Sequence, residues 1–361
     1  LKLDEVIMFN CLLAGHPRQP TSLSRDYPHP EHKHSLWRLP LTVLRSSVTA
    51  LVTAGFLLSA CGSAGDGSLN QEFTQREEAA IIADEPQAAL VGRDILALGG
   101  HPVDAAVAMS LALSVTLPSR AGLLGGGVCL IHDAAQAGVQ LIDFRPTPLP
   151  RQDGSRSEYG APGLLRGLFV MHARYGRLRF EQLVIPAERL ARFDGTVSRS
   201  LHRDINQFAT RVARIENPIW RDSNEAVVGQ RLPWDVNAGA LAVLRQDGVG
   251  AFYGGRIGRR FAADLGLDPA AVAGIEPVIM EAPSVVDGLD NLFMAGDADE
   301  RRLIQALASG EQAAWQASSS QLPGDVPPAT SVVVKGNNDT VVACGLTQGM
   351  AFGIGEPTGD F

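Results

Sequence analysis

Strand-like sequence occurs in two hairpins that lie far apart along the chain. Apolar runs at 128–133 and 139–144 predict the first hairpin, and runs at 331–335 and 340–347 around an Asn-Asn-Asp turn predict the second. Helical patterns precede the first hairpin and follow it, and no repeated β-α-β pattern is evident. Because the strands come from both ends of the chain, the sequence predicts a layered α/β domain.

Four helices are predicted from apolar periodicity and end signals. The first begins at Pro86 and is closed by two glycines, and the second follows at once with Asp104 capping or opening it. The third runs over 164–175 and the fourth lies around 186–192. We interpret 199–328 as helical or irregular.

Composition excludes two classes of protein. With 45% apolar residues in 361, the chain can bury a large core and is not wholly disordered. The net charge of -8, from 31 basic and 39 acidic residues, provides no basic footprint for nucleic acid. We therefore predict a globular protein that does not bind nucleic acid.

An export signal is predicted near the start of the chain. An apolar run at 48–60 follows Arg38 and Arg45 and ends in Leu-Ser-Ala before Cys61, which resembles a bacterial lipobox. We predict a lipoprotein signal peptide over 38–61, lipidation of Cys61 and a flexible tether over 62–76. Residues 1–37 are interpreted as a non-native leader or the result of a mis-set start. The expected location is the bacterial envelope, with the mature protein anchored to the membrane by lipid.

Two further cysteines, Cys129 and Cys344, lie in apolar strand-like runs. Buried small apolar side chains are favoured there over a disulfide, although an exported compartment would permit one. No spacing of cysteine and histidine typical of a metal site is present, and the glycine run at 125–127 precedes a strand, unlike a dinucleotide fingerprint. No metal or cofactor is predicted.

Two residues are candidates for chemistry. Arg145 follows a predicted strand and precedes a rigid Pro-Thr-Pro break, which suits a guanidinium that binds a carboxylate, although a surface ion pair is the commoner role. Thr330 immediately precedes the third predicted strand. Its hydroxyl becomes a nucleophile only if the preceding peptide bond is cut, because the freed amine can then act as its base.

The order of several motifs resembles the γ-glutamyltranspeptidase family. Residues 98–108 are similar to its Gly-Gly-Asn-Ala-Val-Asp-Ala-Ala pattern, residues 125–130 to its glycine-rich strand, and residues 143–148 to its arginine motif. Residues 161–163 and 252–255 agree with later stretches. The resemblance implies a layered αββα fold like that of N-terminal nucleophile hydrolases, incomplete at the C-terminus in this chain.

The resemblance also implies a reaction. Self-cleavage between Ala329 and Thr330 would free Thr330 as the nucleophile, and Arg145 would bind the substrate α-carboxylate, with Thr347 and Gln348 also binding substrate. The donor would be glutathione or a related γ-glutamyl compound, and the acceptor water or an amino acid, with no cofactor. Residues 77–329 would correspond to the large subunit and 330–361 to the start of the small subunit.

Alternatives remain open at the nucleophile. An ungapped comparison puts Ala329 at the nucleophile's position, whereas a one-residue shift in the loop 336–339 restores Thr330. With alanine there, the chain would be a catalytically inactive lipoprotein or gene fragment with a binding role only. A third possibility is an acylase for another amide. The sequence makes no prediction of oligomeric state.

Overall fold

The computed structural model describes residues 79–136, 138–213, 226–231, 235–287, 290–295 and 328–353. The predicted leader, signal peptide, Cys61 and tether lie outside these residues. Within the described ranges, no helix is long and apolar enough to span a membrane. No group of three or more His, Cys, Asp or Glu side chains in the same ranges is arranged to hold a metal ion.

The described elements are helices and short strands. The strands are β1 Ala80–Ala83, β2 Gly126–His132, β3 Gln140–Asp143, β4 Pro148–Pro150, β5 Arg156–Gly160, β6 Val278–Glu281, β7 Ser284–Asp287, β8 Asp290–Phe293, β9 Ala329–Lys335 and β10 Val341–Thr347. The helices are α1 Pro86–Ala97, α2 Pro102–Thr116, α3 Leu164–Tyr175, α4 Phe180–Arg189, α5 Arg199–Gln207, α6 Ala209–Val212, α7 Asp235–Asp247, α8 Arg256–Asp264 and α9 Pro269–Ala273.

Strands from both ends of the described chain form one sheet. Its order is β1-β9-β10-β2-β3-β6, and each neighbouring pair is antiparallel. The second hairpin, β9 and β10, is therefore inserted between β1 and β2. This confirms both predicted hairpins and the layered α/β class. The strands β4 and β5 form a separate pair, as do β7 and β8.

The core lies between this sheet and α2, which is buried over its whole length. Many residues of α2 are alanine or serine, and such small side chains let the helix approach the sheet closely. The strand residues on this face, among them Val332, Val334 and Val342, are fully buried. On the opposite face of β10, Val341, Ala343 and Thr347 are only half-buried. The two faces of β10 are thus unequally covered.

The sequence analysis missed several strands. Three of them, β6, β7 and β8, lie in the region predicted to be helical or irregular, and β1, β4 and β5 were not predicted. These strands have five residues or fewer, too few to show a clear alternation, and β6 is exposed along its length. β4 also contains two prolines, and proline is more typical of turns than of strands.

The fourth helix starts earlier than predicted. It begins at Phe180, and Pro186, where the sequence predicts its start, lies within it. The helix continues as a π-helical turn over Leu190–Asp194. Proline usually marks the first turn of a helix, so the local signal was misleading here.

The preference for unpaired cysteines was wrong. Cys129 on β2 and Cys344 on β10 face each other in the strand register and form a disulfide across a sequence separation of 215 residues. Their Cα atoms are 4.1 Å apart, as in closely spaced antiparallel pairs. Only the pairing of these two strands brings the sulfur atoms together.

Asp104 joins three segments at the start of α2. The N-terminal cap of this helix is His101, and Asp104 completes a capping box by accepting the His101 backbone N–H at 2.8 Å. The fully buried carboxylate also accepts the backbone N–H groups of Arg177 at 2.9 Å and Leu178 at 3.0 Å. The side chain thereby fixes the loop between α3 and α4 to the start of α2.

We expect Asp104→Ala to lower the free energy of unfolding by about 3 kcal/mol, because buried backbone N–H groups lose their acceptor. Urea unfolding followed by circular dichroism measures the change. The control is Asp94→Ala, which removes an exposed ion pair with Arg93 and should cost about 0.5 kcal/mol or less. Equal losses in the two variants would contradict this role of Asp104.

Candidate active site

The predicted site residues gather at one end of the central sheet. Ala329 is paired with Thr347, and Thr347 with Gly126. Phe144, which follows β3, exchanges both backbone hydrogen bonds with the residue after Gly126, at 2.9 and 3.3 Å. Arg145 therefore lies at the same end of the sheet as Ala329. Three strand spacings, about 14 Å, separate the two residues.

Thr330 faces the helical layer. It is paired with Leu346, and its side chain lies on the same face as the buried residues of β9 and β10. Only 2% of Thr330 is exposed, and its hydroxyl donates to Asp84 Oδ2 at 2.9 Å. Asp84 directly follows β1, which ends opposite Val332, so residues 329–331 extend past the end of β1. A carboxylate thus stands beside the hydroxyl of the predicted nucleophile.

The carbonyl of Ala329 accepts a hydrogen bond from a cation. Arg120 Nη1 donates to this oxygen at 3.1 Å, and the oxygen belongs to the peptide bond predicted to be cleaved. Two further nitrogens of Arg120 donate to both oxygens of Asp204 on α5, at 2.7 and 2.9 Å. Such a two-point pair fixes the guanidinium plane.

Asp204 is fully buried and is stabilised by more than this pair. The hydroxyl of Ser119, the residue before Arg120, donates to Asp204 Oδ2 at 2.7 Å. The hydrogen bond with Asp204 is the main cause that raises the pKa of Arg120 above its ordinary value, while burial acts in the opposite direction. The guanidinium is therefore held as a cation in a fixed position.

A second carboxyl group next to Asp84 has a structural role. Glu85 caps α1 by accepting the backbone N–H groups of Gln87 at 2.7 Å and Ala88 at 3.3 Å. Burial raises the pKa of Glu85, and these hydrogen bonds partly offset that effect. Of the two neighbouring carboxyl groups, Asp84 is the one bonded to Thr330.

The two residues predicted to bind substrate after β10 have partners of their own. The Thr347 hydroxyl donates to the carbonyl of Pro328 at 2.9 Å and accepts the Gly349 N–H at 3.0 Å. The side-chain amide of Gln348 donates to the carbonyl of Pro118. Thr347 thus lies next to the predicted cleavage position, and Gln348 contacts the loop that carries Arg120. Their role in substrate binding stays a prediction.

Among the described residues, Arg145 is held by a neighbour in sequence. Its side chain is 45% exposed and forms an ion pair with Asp143 at 2.7 Å. Its backbone N–H also donates to Asp143 Oδ1, at 3.0 Å. The structure therefore brings together Thr330, Ala329 and Thr347, while Arg145 lies at the same sheet end in an ion pair.

The second hairpin has a regular register. Pairing runs without a bulge from Ala329 opposite Thr347 to Lys335 opposite Val341, with a turn between the strands. Ala329 and Thr347 lie on one face of the sheet, where both are half-buried, and Thr330 lies on the helix-covered face. Both alternatives for the nucleophile position thus have a defined place.

Sequence analysis missed the residues that surround the predicted cleavage position. Asp84 is 246 residues from Thr330, and Arg120 is 209 residues from Ala329 and 84 from Asp204. These residues come from separate loops and a helix, so no local motif contains them. The sequence offered one indication, which is the position of Arg120 between the buried second helix and the glycine run.

Comparison with known proteins identifies the family. The family model for gamma-glutamyltranspeptidase matches residues 88–268, half of the chain. The chain belongs to the gamma-glutamyltranspeptidase family. Human glutathione hydrolase 5 proenzyme is 30% identical over 231 residues, which cover 59% of this chain and 39% of that protein. Glutathione hydrolase 3 of Arabidopsis thaliana is 30% identical over 212 residues, which cover 54% and 33%. The chain thus spans about two-fifths or less of the length of these two relatives.

Solved structures agree on the fold of this family member. The gamma-glutamyltranspeptidase of Pseudomonas nitroreducens superposes with a TM-score of 0.56 at 20% identity, over 68% of this chain and 79% of that one. The cephalosporin acylase of Bacillus halodurans superposes with a TM-score of 0.60 at 17% identity, over 78% and 68%. The predicted N-terminal nucleophile hydrolase-like fold is confirmed, as is the resemblance that implied it.

Proposed function

We propose that this chain is a self-processing γ-glutamyl transferase or hydrolase that acts on glutathione or a related γ-glutamyl compound. The bond between Ala329 and Thr330 is cut, and the freed amine of Thr330 serves as the base for its own hydroxyl. That hydroxyl attacks the γ-glutamyl carbonyl to form an acyl-enzyme, which water or an amino acid then resolves.

One observation carries this proposal. The hydroxyl of Thr330 contacts a carboxylate, and the carbonyl just before it accepts a hydrogen bond from a guanidinium. A nucleophile, a base and a donor for the developing oxyanion are the three groups that the self-cleavage step requires. Membership of the gamma-glutamyltranspeptidase family supports the choice of a γ-glutamyl donor.

We expect Thr330→Ala to abolish both self-cleavage and hydrolysis of a γ-glutamyl anilide, because a methyl group cannot attack a carbonyl. Reducing denaturing gels measure cleavage, N-terminal sequencing locates it, and anilide release measures activity. Thr330→Ser keeps the hydroxyl and should retain both.

The control is Thr340→Ala, which removes a buried hydroxyl that has no hydrogen-bond partner among the described residues. This variant should cleave like the unaltered chain. A fragment that begins at a residue other than Thr330, or cleavage that persists in Thr330→Ala, would rule out the proposed nucleophile.

Arg145 is proposed to bind the α-carboxylate of the donor, for which it would exchange its half-buried partner Asp143. Hydrogen bonds to a charged group contribute about 1.5 to 3 kcal/mol, so Arg145→Ala should raise KM for the anilide by about 10- to 150-fold. Arg156→Ala, at an exposed position of β5, is the control and should leave KM unchanged. Unaltered KM in Arg145→Ala would instead favour an acylase for a substrate without that carboxylate.

A non-catalytic binding protein is the second candidate function. The regular hairpin favours it, because Ala329 stands opposite Thr347 where the ungapped comparison expects the nucleophile. The two candidates differ in one measurement. A purified full chain that stays uncleaved and releases no anilide would support binding without catalysis.

We also propose that the protein is exported and attached to the bacterial envelope by lipid on Cys61. The disulfide between Cys129 and Cys344 supports export, because disulfides persist in oxidising compartments. Cells that express the chain should incorporate labelled fatty acid into it, and Cys61→Ala should lose the label. Equal labelling of both forms would refute the anchor.

A further inference from the structure

We propose that Asp84 and Arg120 perform the self-cleavage, with Asp84 as the base for the Thr330 hydroxyl and Arg120 as the cation that binds the carbonyl oxygen of Ala329. This inference rests on the proposed function, since it concerns the same peptide bond. It assigns roles to two residues that lie outside the family motifs.

The position of Asp84 follows from the length of β1. This strand stops opposite Val332, so the start of β9 lies beside the loop that follows β1. Asp84 Oδ2 is 2.9 Å from the Thr330 hydroxyl, within the distance required for direct proton transfer. Because Thr330 is 2% exposed, bulk water has little access to this hydroxyl. A nearby carboxylate is therefore the available acceptor for its proton.

Arg120 lies where negative charge would develop. Its Nη1 is 3.1 Å from the Ala329 oxygen, which becomes an oxyanion when the carbonyl carbon is attacked. The buried carboxylate of Asp204 holds the guanidinium by two hydrogen bonds, so the donor is in place before the reaction starts. Preorganised donors of this kind stabilise a transition state without reorganisation.

The chemistry is balanced with these groups alone and one water. Thr330 Oγ1 attacks the Ala329 carbonyl carbon, its proton passes to Asp84, and the oxyanion is bound by Arg120. The C–N bond then breaks, its electron pair remains on the Thr330 nitrogen, and that nitrogen takes the proton from Asp84. The product is an ester between the Ala329 acyl group and Thr330 Oγ1. Water hydrolyses the ester to a carboxylate on Ala329 and the hydroxyl of Thr330, and the proton released passes to the Thr330 amine.

The test follows the rate of cleavage in the full chain after pulse-labelled synthesis, on reducing gels. We expect Asp84→Asn and Arg120→Met each to slow cleavage by about 100-fold or more, as for loss of a general base or of one oxyanion donor. Asp84→Glu should recover part of the rate. The controls Asp153→Asn and Arg156→Met alter exposed residues and should cleave at the original rate.

Two further measurements separate chemistry from folding. Removal of Arg120 alone leaves the buried carboxylate of Asp204 without its cation. The single variant Arg120→Met is therefore compared with the double variant Arg120→Met with Asp204→Asn, which leaves no unpaired charge. Both should be slow, with the cooperative unfolding of the double variant preserved. In Arg120→Ala, added guanidinium ion below the onset of unfolding should speed cleavage, which a purely structural role would not produce.

Cleavage at the original rate in Asp84→Asn or Arg120→Met would overturn the assignment, while loss of cleavage in Thr330→Ala would still support the proposed function. No cleavage in the unaltered chain would overturn both. The two failures are therefore distinguishable on the same gel.

A separate observation concerns the fate of the two fragments. Cys129 lies before the predicted cleavage position and Cys344 after it, and the two are joined by a disulfide between β2 and β10. We infer that the fragments stay covalently linked after cleavage. Noncovalent pairing in the sheet would not survive a denaturing gel, whereas this bond would.

Protein alkylated at purification is run on denaturing gels with and without reductant. The cleaved chain should migrate as one band without reductant and as two with it, and Cys129→Ser should give two bands under both conditions. Two bands from the unaltered cleaved chain without reductant would overturn the linkage but leave cleavage supported. A single band even with reductant would count against cleavage, and with it the linkage of two fragments.

Discussion

The insertion of β9 and β10 between β1 and β2 is the constraint on which the rest of this structure depends. Each inserted strand satisfies the backbone groups of a neighbour from the other end of the described chain. Their valines complete the apolar face that covers α2, and the disulfide fixes the second of these pairings. Because β9 extends past the short β1, the same insertion also creates the space in which the candidate site lies.

In the candidate site, two carboxylates and one guanidinium are arranged around one peptide bond. Asp204 is fully buried, which is tolerated because Arg120 and Ser119 both donate to it. Arg120 in turn reaches the Ala329 carbonyl, and Asp84 accepts the adjacent hydroxyl. The predicted cleavage position is therefore held by groups from three distant parts of the chain, so a site of this kind exists only after the sheet has formed.

Local signals predicted the elements that are long and regular. The first and third helices have the expected bounds within a residue or two, and both hairpins lie where alternating apolar runs indicated. Prediction failed where the signal was short or conflicting. The four residues of β1 show no usable alternation, and Pro186 lies inside a helix that it was expected to start. The family motifs likewise led to Arg145 and Thr330 as candidates but not to Asp84, because a motif consists of residues that are close in sequence.

The sequence by itself determined the class of fold, the order of its main elements and the family, since periodicity and motif order are properties of neighbouring residues. Tertiary structure alone decided which strands pair, that Cys129 meets Cys344, and that Asp84 and Arg120 flank Thr330 and Ala329. The physical reason is that strand pairing joins residues as distant in sequence as Ala80 and Lys335, and a side-chain hydrogen bond joins Thr330 to Asp84, 246 positions away. Their energies depend on distance in space, which the order of residues does not encode locally.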